Sequence, residues 1–423
     1  MTTAIPTPLP DAEAQSPRTA SLLSPAHRRF LFALALTAGI LNLVDRQIIA
    51  VLKPTIAADL HWSDDDYGTL AAWFQGAAAF GFLGAGWLVD RLGLRRANAL
   101  GVTVWSLAAM AHGWASGFRE FIACRIALGA SEAMGTPAGI KTVALIFPPE
   151  KRTTGFGLFN AINSLGAILT PLGIPLAAAL WGWRSTFVIA GGIGLVWGLV
   201  WMLGTRGVSF GDTRKATGNT QPISGILRER RTWTVALAKV LSDATWWLML
   251  FWMPDYFNRA FGLSGVALGV PLAIAYLGSA TGSLVSGYVS SHLLAKGWSV
   301  NRTRKTVMLI SALCVLPVPL ALHASSYGIA VGLMALTLAG HQGFSTSLFA
   351  LIADVTPATK VGRVTGFGSF CGNLGGMAIS KIAGLVLAAG LGYAPLFGFA
   401  AVSYLLALGW IQLMMPRIRL AED

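Results

Sequence analysis

Charge is scarce in this chain. Only 12% of its 423 residues are Asp, Glu, Lys or Arg, where an ordinary soluble domain carries about a quarter. So few charges cannot cover a water-facing surface, which excludes a soluble globular protein of this length. Cysteine is nearly absent. Cys124, Cys314 and Cys371 all sit in apolar runs, with no CxxC or His-rich spacing. They read as small buried residues, and neither a disulfide framework nor a metal site is expected. The sequence has no nucleophile elbow, metal-ligand cluster or phosphate-binding glycine loop, which speaks against an enzyme and against a cofactor. Residues 1–25 lack the basic start and apolar centre of a signal peptide and read as a disordered tail.

What the chain has in abundance is apolar sequence. Hydrophobic residues make up 54% of it, in blocks of about 20, the length that crosses a hydrocarbon core of roughly 30 Å. Twelve such runs can be drawn between residues 29 and 415. In lipid each must be an α-helix, because the backbone has only itself to bond to. The expected fold is therefore an all-α polytopic membrane protein of twelve transmembrane helices. Tails at 1–28 and 417–423 flank two six-helix halves, 29–205 and 232–416, joined by a basic linker at 206–231. Gly155-Phe156-Gly157-Leu158-Phe159 recurs as Gly366-Phe367-Gly368-Ser369-Phe370, half a chain later. Duplicated halves with a site between them near the midplane are a transporter architecture.

The net charge of +13 follows topology. Alternate connecting segments collect the basic residues, as in Arg91, Arg95 and Arg96, or Arg302, Arg304 and Lys305. The remaining loops hold only Lys53, Arg119, Arg184 and Arg259. By the positive-inside rule both termini are cytoplasmic, in an inner (cytoplasmic) membrane. No run of Lys and Arg interleaves with aromatics, so nucleic acid is not an expected partner.

Against this background, Asp45 and Arg46 stand out in the apolar run from Phe30 to Leu52. A charge at such depth costs several kcal/mol or more and by default marks a pathway, a relay or a ligand site. The functional reading is that Arg46 meets an anionic substrate while Asp45 takes and releases a proton. The alternative is an ion pair bracing the helix against a neighbour. Asn42 shares their face one turn earlier. Arg125 and Glu132 lie two turns apart along one helix face, a second acid–arginine set. Lys239 and Asp243 are spaced to pair; Asp255 and Arg259 read as solvated, and Lys381 as snorkelling. Uncharged polar groups recur at depth: Gln75, Asn160, Asn163, His341, Gln342, Ser345 and Asn373. Each alone is as easily packing glue, but their number suits a polyhydroxylated ligand. Trp246 and Trp247, too deep for an interfacial belt, offer a face for a sugar ring or simple bulk.

Gly86-Trp87-Leu88-Val89-Asp90-Arg91-Leu92-Gly93-Leu94-Arg95-Arg96 resembles the G-x-L-x-D-R-x-G-R-R signature of the major facilitator superfamily. Asp90, Arg91 and Arg95 are there expected to form an inner gate cluster. The matching loop near Gly287 has Ser291 and His292 where Asp and Arg would stand. The Asp45-Arg46 helix and Arg125-Ile126-Ala127-Leu128-Gly129-Ala130-Ser131-Glu132-Ala133 are similar to the anion:cation symporter family. Ala238–Trp247, Gly297–Lys305 and His341-Gln342-Gly343-Phe344-Ser345 look like its hexuronate transporter branch. The resemblance implies inward proton-coupled symport of a sugar acid by alternating access. In it Asp45 and Glu132 carry protons, Arg46 holds the carboxylate, and Asn163 reads substrate hydroxyls. Other organic anions (hexonate, aldarate or aromatic acid) and a non-transporting sensor are the competing readings. The expected partners are a small organic anion, protons and the lipid bilayer, with the chain working as a monomer. Thr170-Pro171-Leu172-Gly173 is a poor match to the Gly-Pro motif of exporters.

Overall fold

Where lipid leaves a backbone only its own groups to bond, this chain answers with helices end to end. The computed structural model describes residues 24–147, 152–208 and 223–418; among these there is no strand. In chain order the helices are α1 (Pro25–Val51), α2 (Lys53–Leu60), α3 (Asp64–Leu92), α4 (Leu94–Ala111), α5 (Phe118–Glu132), α6 (Gly135–Ile146) and α7 (Arg152–Gly204). After the linker come α8 (Ile223–Leu227), α9 (Arg230–Phe261), α10 (Gly269–Ala295), α11 (Val300–Val315), α12 (Tyr327–Val355), α13 (Ala358–Ala388) and α14 (Ala394–Met414).

These make twelve crossings. α5 and α6 are the two parts of one crossing, interrupted at Ala133 and Met134. α7 is two crossings that meet at Gly182, whose φ of 81° and ψ of 157° turn the chain back; such a φ is natural only for glycine. α2 and α8 are short connectors. Eight stretches are long and apolar enough to cross a membrane by length and composition alone, and Leu165–Gly204 is one of them, long enough for two passages. The others are α4, the broken α5–α6 pair, and α12, which carries His341 and Gln342 at mid-length.

α3 begins as its sequence suggests. Ser63 Oγ accepts from the Asp66 N–H at 3.1 Å, and Asp66 Oδ2 accepts from the Ser63 N–H at 2.9 Å, a capping box. Each half then presses its second and fourth crossings together at glycine. A Cβ on Gly129 would stand 2.3 Å from the Phe74 carbonyl oxygen, and one on Gly278 would stand 2.1 Å from that of Ala335. Such close approach is how helices associate in lipid, where no hydrophobic drive separates them from their solvent. Gly278→Val should cost about 1–3 kcal/mol by overpacking and melt earlier in detergent than wild type. Gly287→Val, which points into open space, should melt like wild type. The halves meet where α3 runs along α13, α1 along α9, and α7 along α10.

Candidate functional site

Between α1 and α5 the chain buries four charges together. Arg46 reaches from α1 to α5, its Nε 2.6 Å from Glu132 Oε2. Asn42, one turn earlier, donates to the Glu132 backbone oxygen at 3.5 Å. Arg125 is fully buried, and none of its three guanidinium nitrogens has a hydrogen-bond partner among the described residues. It lies 5.3 Å over the Phe74 ring, which Arg46 also faces at 5.7 Å. Asp45 is buried and makes no ion pair among the described residues; Glu132 and Arg125 are the charges that act on it. Two acids and two arginines thus share one buried pocket, and their formal charges sum to zero. Glu132 does not pair with Arg125 along its own helix. α5 ends at Glu132, and the carboxylate turns to α1 instead.

A cavity of about 190 Å³ opens beside this set, on the side where α1 starts. α1 lines it with Ala35, Ala38, Gly39, Asn42 and Leu43, one stripe at helical spacing, and α6 with Gly135, Thr136, Gly139 and Thr142. The second half contributes Trp246, Ser279 and Gln342. Ser279 Oγ donates to Gln342 Oε1 at 3.4 Å. Ala167 also lines the cavity. Pro171, one turn on, has no N–H, so the helix lacks its ordinary bond from residue 171 to the Ala167 carbonyl.

The sequence-predicted residues distribute unevenly around it. Asn42 and Gln342 face the cavity, with Arg46 one turn deeper. Trp246 lines it and Trp247 does not: Trp247 is buried, stacks on Phe251 and lies 5.7 Å from the Arg46 guanidinium. Gln75 is fully buried, with both amide atoms unpartnered among the described residues. Ser345 is buried away from the lining, and Asn373 donates to Ser369 O of its own helix at 2.8 Å. His341 stands behind Trp246, its Nδ1 2.6 Å from the Tyr404 hydroxyl. Asn160 and Asn163 lie on α7, but their side chains fall outside the described residues. Sequence reasoning passed over Asn98, Thr136, Thr142 and Ser279, although the α1 and α6 stripes carry the periodic signal that finds a lined face.

The expected gate cluster is divided. Asp90 pairs with Lys141 of α6. Arg91 lies over Trp87, and Arg95 bonds Thr205 Oγ1 at 3.1 Å and Met202 O at 2.9 Å. These partners hold Arg95 to the end of α7, away from Asp90. The second half builds its counterpart with the acid moved: Arg304 bonds Asp354 at 2.8 Å and Ser290 Oγ at 2.6 Å. Lys239 and Asp243 pair at 2.7 Å. All these ion pairs lie within one half.

At the opposite face the pairs cross between halves. Lys53, almost fully buried, binds Asp64 at 2.8 Å and Asp255 of α9 at 2.6 Å. Arg259 bonds Asp255 at 2.7 Å and also reaches Asp64, and Tyr393 donates to Asp255 at 2.5 Å. Lys381 of α13 bonds Asp65 and Thr69 of α3. Asp255 is therefore not solvated, and Lys381, its side chain still 39% exposed, pairs across the halves. Outside the crossings on this face, Arg184 and Trp183 bond the Asp59 carboxylate and hold its pKa below the usual range. The molecule is thus closed at this face, with its cavity on the other side of the charged set.

Three comparisons place this architecture. The model of the Major Facilitator Superfamily matches residues 35–380. A D-galactonate transporter of Escherichia coli is 28% identical, covering 92% of this chain and 96% of its own. A hexuronate transporter of Bacillus subtilis is 28% identical over 83% of this chain and 86% of its own. Among solved structures, a bacterial homologue of the lysosomal transporter Spinster superposes with a TM-score of 0.71 at 17% identity, covering 93% and 96% of the two chains. A D-xylose–proton symporter gives a TM-score of 0.71 at 15% identity, covering 90% and 97%. With the family model spanning most of its length and the twelve-helix fold shared, the chain belongs to the Major Facilitator Superfamily: it is a multi-pass membrane transporter and not an enzyme.

Proposed function

We propose that this protein is a proton-coupled importer of a sugar acid, a hexuronate such as galacturonate or glucuronate, working by alternating access. The observation that carries the reading is the neutral set of Asp45, Arg46, Arg125 and Glu132 directly beneath a cavity where amides, hydroxyls and the Trp246 indole stand among small apolar residues. A carboxylate entering alone would leave the buried set with a net negative charge, which is costly in a buried site. A proton taken by Glu132 or Asp45 restores neutrality, and one taken by Glu132 also releases Arg46 for the substrate. Cargo and proton are then each unfavourable alone and favourable together, which is symport. The polar lining suits hydroxyls, and the names of the E. coli and B. subtilis relatives, transporters of D-galactonate and hexuronate, support a sugar acid. An open-chain hexonate is the second reading, favoured by the first of those names.

With the amino terminus cytoplasmic, the closed face is the outer one, and the structure is the inward-facing member of the cycle. In proteoliposomes, uptake of labelled galacturonate should require a proton gradient directed inward and collapse with an uncoupler. Uptake that ignores the uncoupler would remove proton coupling; absence of uptake of any sugar acid would remove the substrate class.

A further inference from the structure

The charged set treats every carboxylate alike, and the named relatives carry both ring and open-chain sugar acids. The cavity's second-half wall does not treat them alike. Trp246 is its one aromatic lining residue among the described residues. Behind the indole, His341 stacks at 4.9 Å between ring centroids and 16° between planes. The imidazole is fixed in turn. Tyr404 donates its hydroxyl proton to the Ser242 carbonyl at 2.9 Å, because a carbonyl can only accept. The 2.6 Å contact to His341 Nδ1 is then made by an Nδ1–H donating to the Tyr404 oxygen. Ser242 and Trp246 lie one turn apart on α9, so the chain of contacts closes on itself: α9 to α14 to α12 and back to α9. Tyr404 is fully buried and packs edge-on against Phe344 at 5.2 Å. His341 and Tyr404 are thus each held from more than one side, and the indole rests on the imidazole.

We propose that Tyr404 and His341 lock Trp246 as a flat platform that selects a cyclic sugar acid over an open-chain one, an inference that rests on the sugar-acid reading above. A galacturonate pyranose presents the C–H bonds of carbons 3, 4 and 5 on one face, an apolar patch that matches an indole. An open-chain acid of the same length has no lasting apolar face. It must also freeze several more torsions to lie flat, each immobilisation subtracting from affinity. A platform that could tilt would lose this distinction, since the stacking gain depends on plane and distance. Tyr404 and His341 are positioning residues; Trp246 is the one that touches cargo.

The test is competition for labelled galacturonate uptake in proteoliposomes, with unlabelled galacturonate and galactonate titrated separately. Wild type should prefer galacturonate. Tyr404→Phe, which keeps the packed ring and removes both hydrogen bonds, should weaken galacturonate about tenfold, the worth of one aromatic contact, with galactonate changed by less than about twofold. Trp246→Leu should do the same, and Trp246→Tyr should keep the preference. A general loosening of the fold would weaken both acids together, and that result overturns the proposal. So does a wild type that prefers galactonate, or a Tyr404→Phe variant whose ratio of the two affinities is unchanged. A wild type that takes up neither acid overturns the sugar-acid reading and this inference with it.

Discussion

Arg46→Ala should sharply weaken binding of every carboxylate substrate. Arg46 is the guanidinium adjoining the cavity, its side chain only 12% exposed, and Glu132 is its partner at 2.6 Å. Truncating one member of a buried, hydrogen-bonded charge pair costs about 2–5 kcal/mol, roughly 30- to 5,000-fold in affinity. Arg125 cannot take over. It is walled behind Phe74, fully buried and without a hydrogen-bond partner among the described residues. The measurement is a thermal-shift or calorimetric titration with galacturonate on detergent-purified protein. Retained affinity would move the carboxylate contact to Arg125 and overturn this assignment. The acids should behave differently. Glu132→Gln mimics the protonated form, so it should bind substrate and exchange it across the membrane while losing accumulation against a gradient. Asp45→Asn should share that phenotype if the two acids work as one set. Accumulation that survives both substitutions would take the proton elsewhere.

How much of this was legible beforehand depends on what kind of interaction each residue makes. The crossings were plain, because apolar length is a property of contiguous sequence. The Ser63 cap was plain for the same reason: its partner is three residues away. Asp45, Arg46, Arg125 and Glu132 announced themselves, since charge at that depth is rare enough to need a reason. Their pairing did not. Sequence spacing puts Glu132 on a face with Arg125, yet the break after α5 lets it turn to Arg46, 86 positions away in the chain. Trp246 and Trp247 are adjacent, and only the packing of α9 decides that the first meets the cavity and the second lies near Arg46. The lock at the far face was the least legible part. Lys53, Asp64, Asp255 and Arg259 all sit near helix ends, where a charge ordinarily finds water, and only the docking of the two halves removes it.

That docking sets the second large effect. Lys53→Met should open the far face. Lys53 is 3% exposed and satisfies two carboxylates from opposite halves, with its ammonium also 4.5 Å from the Trp252 ring centroid. A surface pair would contribute little, but removing one partner of a buried pair costs about 3–5 kcal/mol, because the remaining charge stays buried and unmatched. Here the penalty falls on one conformation only. With Lys53 gone, Asp64 and Asp255 share Arg259 alone while the halves are closed, and both regain water once they part. The ratio of closed to open should shift by about 160- to 5,000-fold, enough to invert most two-state equilibria. Spin labels at Ala58→Cys and Ala260→Cys, both exposed on this face, report the change after Cys124, Cys314 and Cys371 are replaced. The distance between them should lengthen in Lys53→Met. It should stay as in wild type for Arg184→Ala, whose ion pair with Asp59 is exposed and within one half. Gly68→Val should act in the same direction by a different cause: a Cβ there would stand 2.8 Å from Gly384 Cα, so α3 and α13 can no longer cross. Transport should slow in both variants, since a carrier that cannot close this face cannot complete its cycle. A distance distribution unchanged by Lys53→Met would show that helix packing alone holds the face shut, and the ion network would then be a consequence of closure and not its cause.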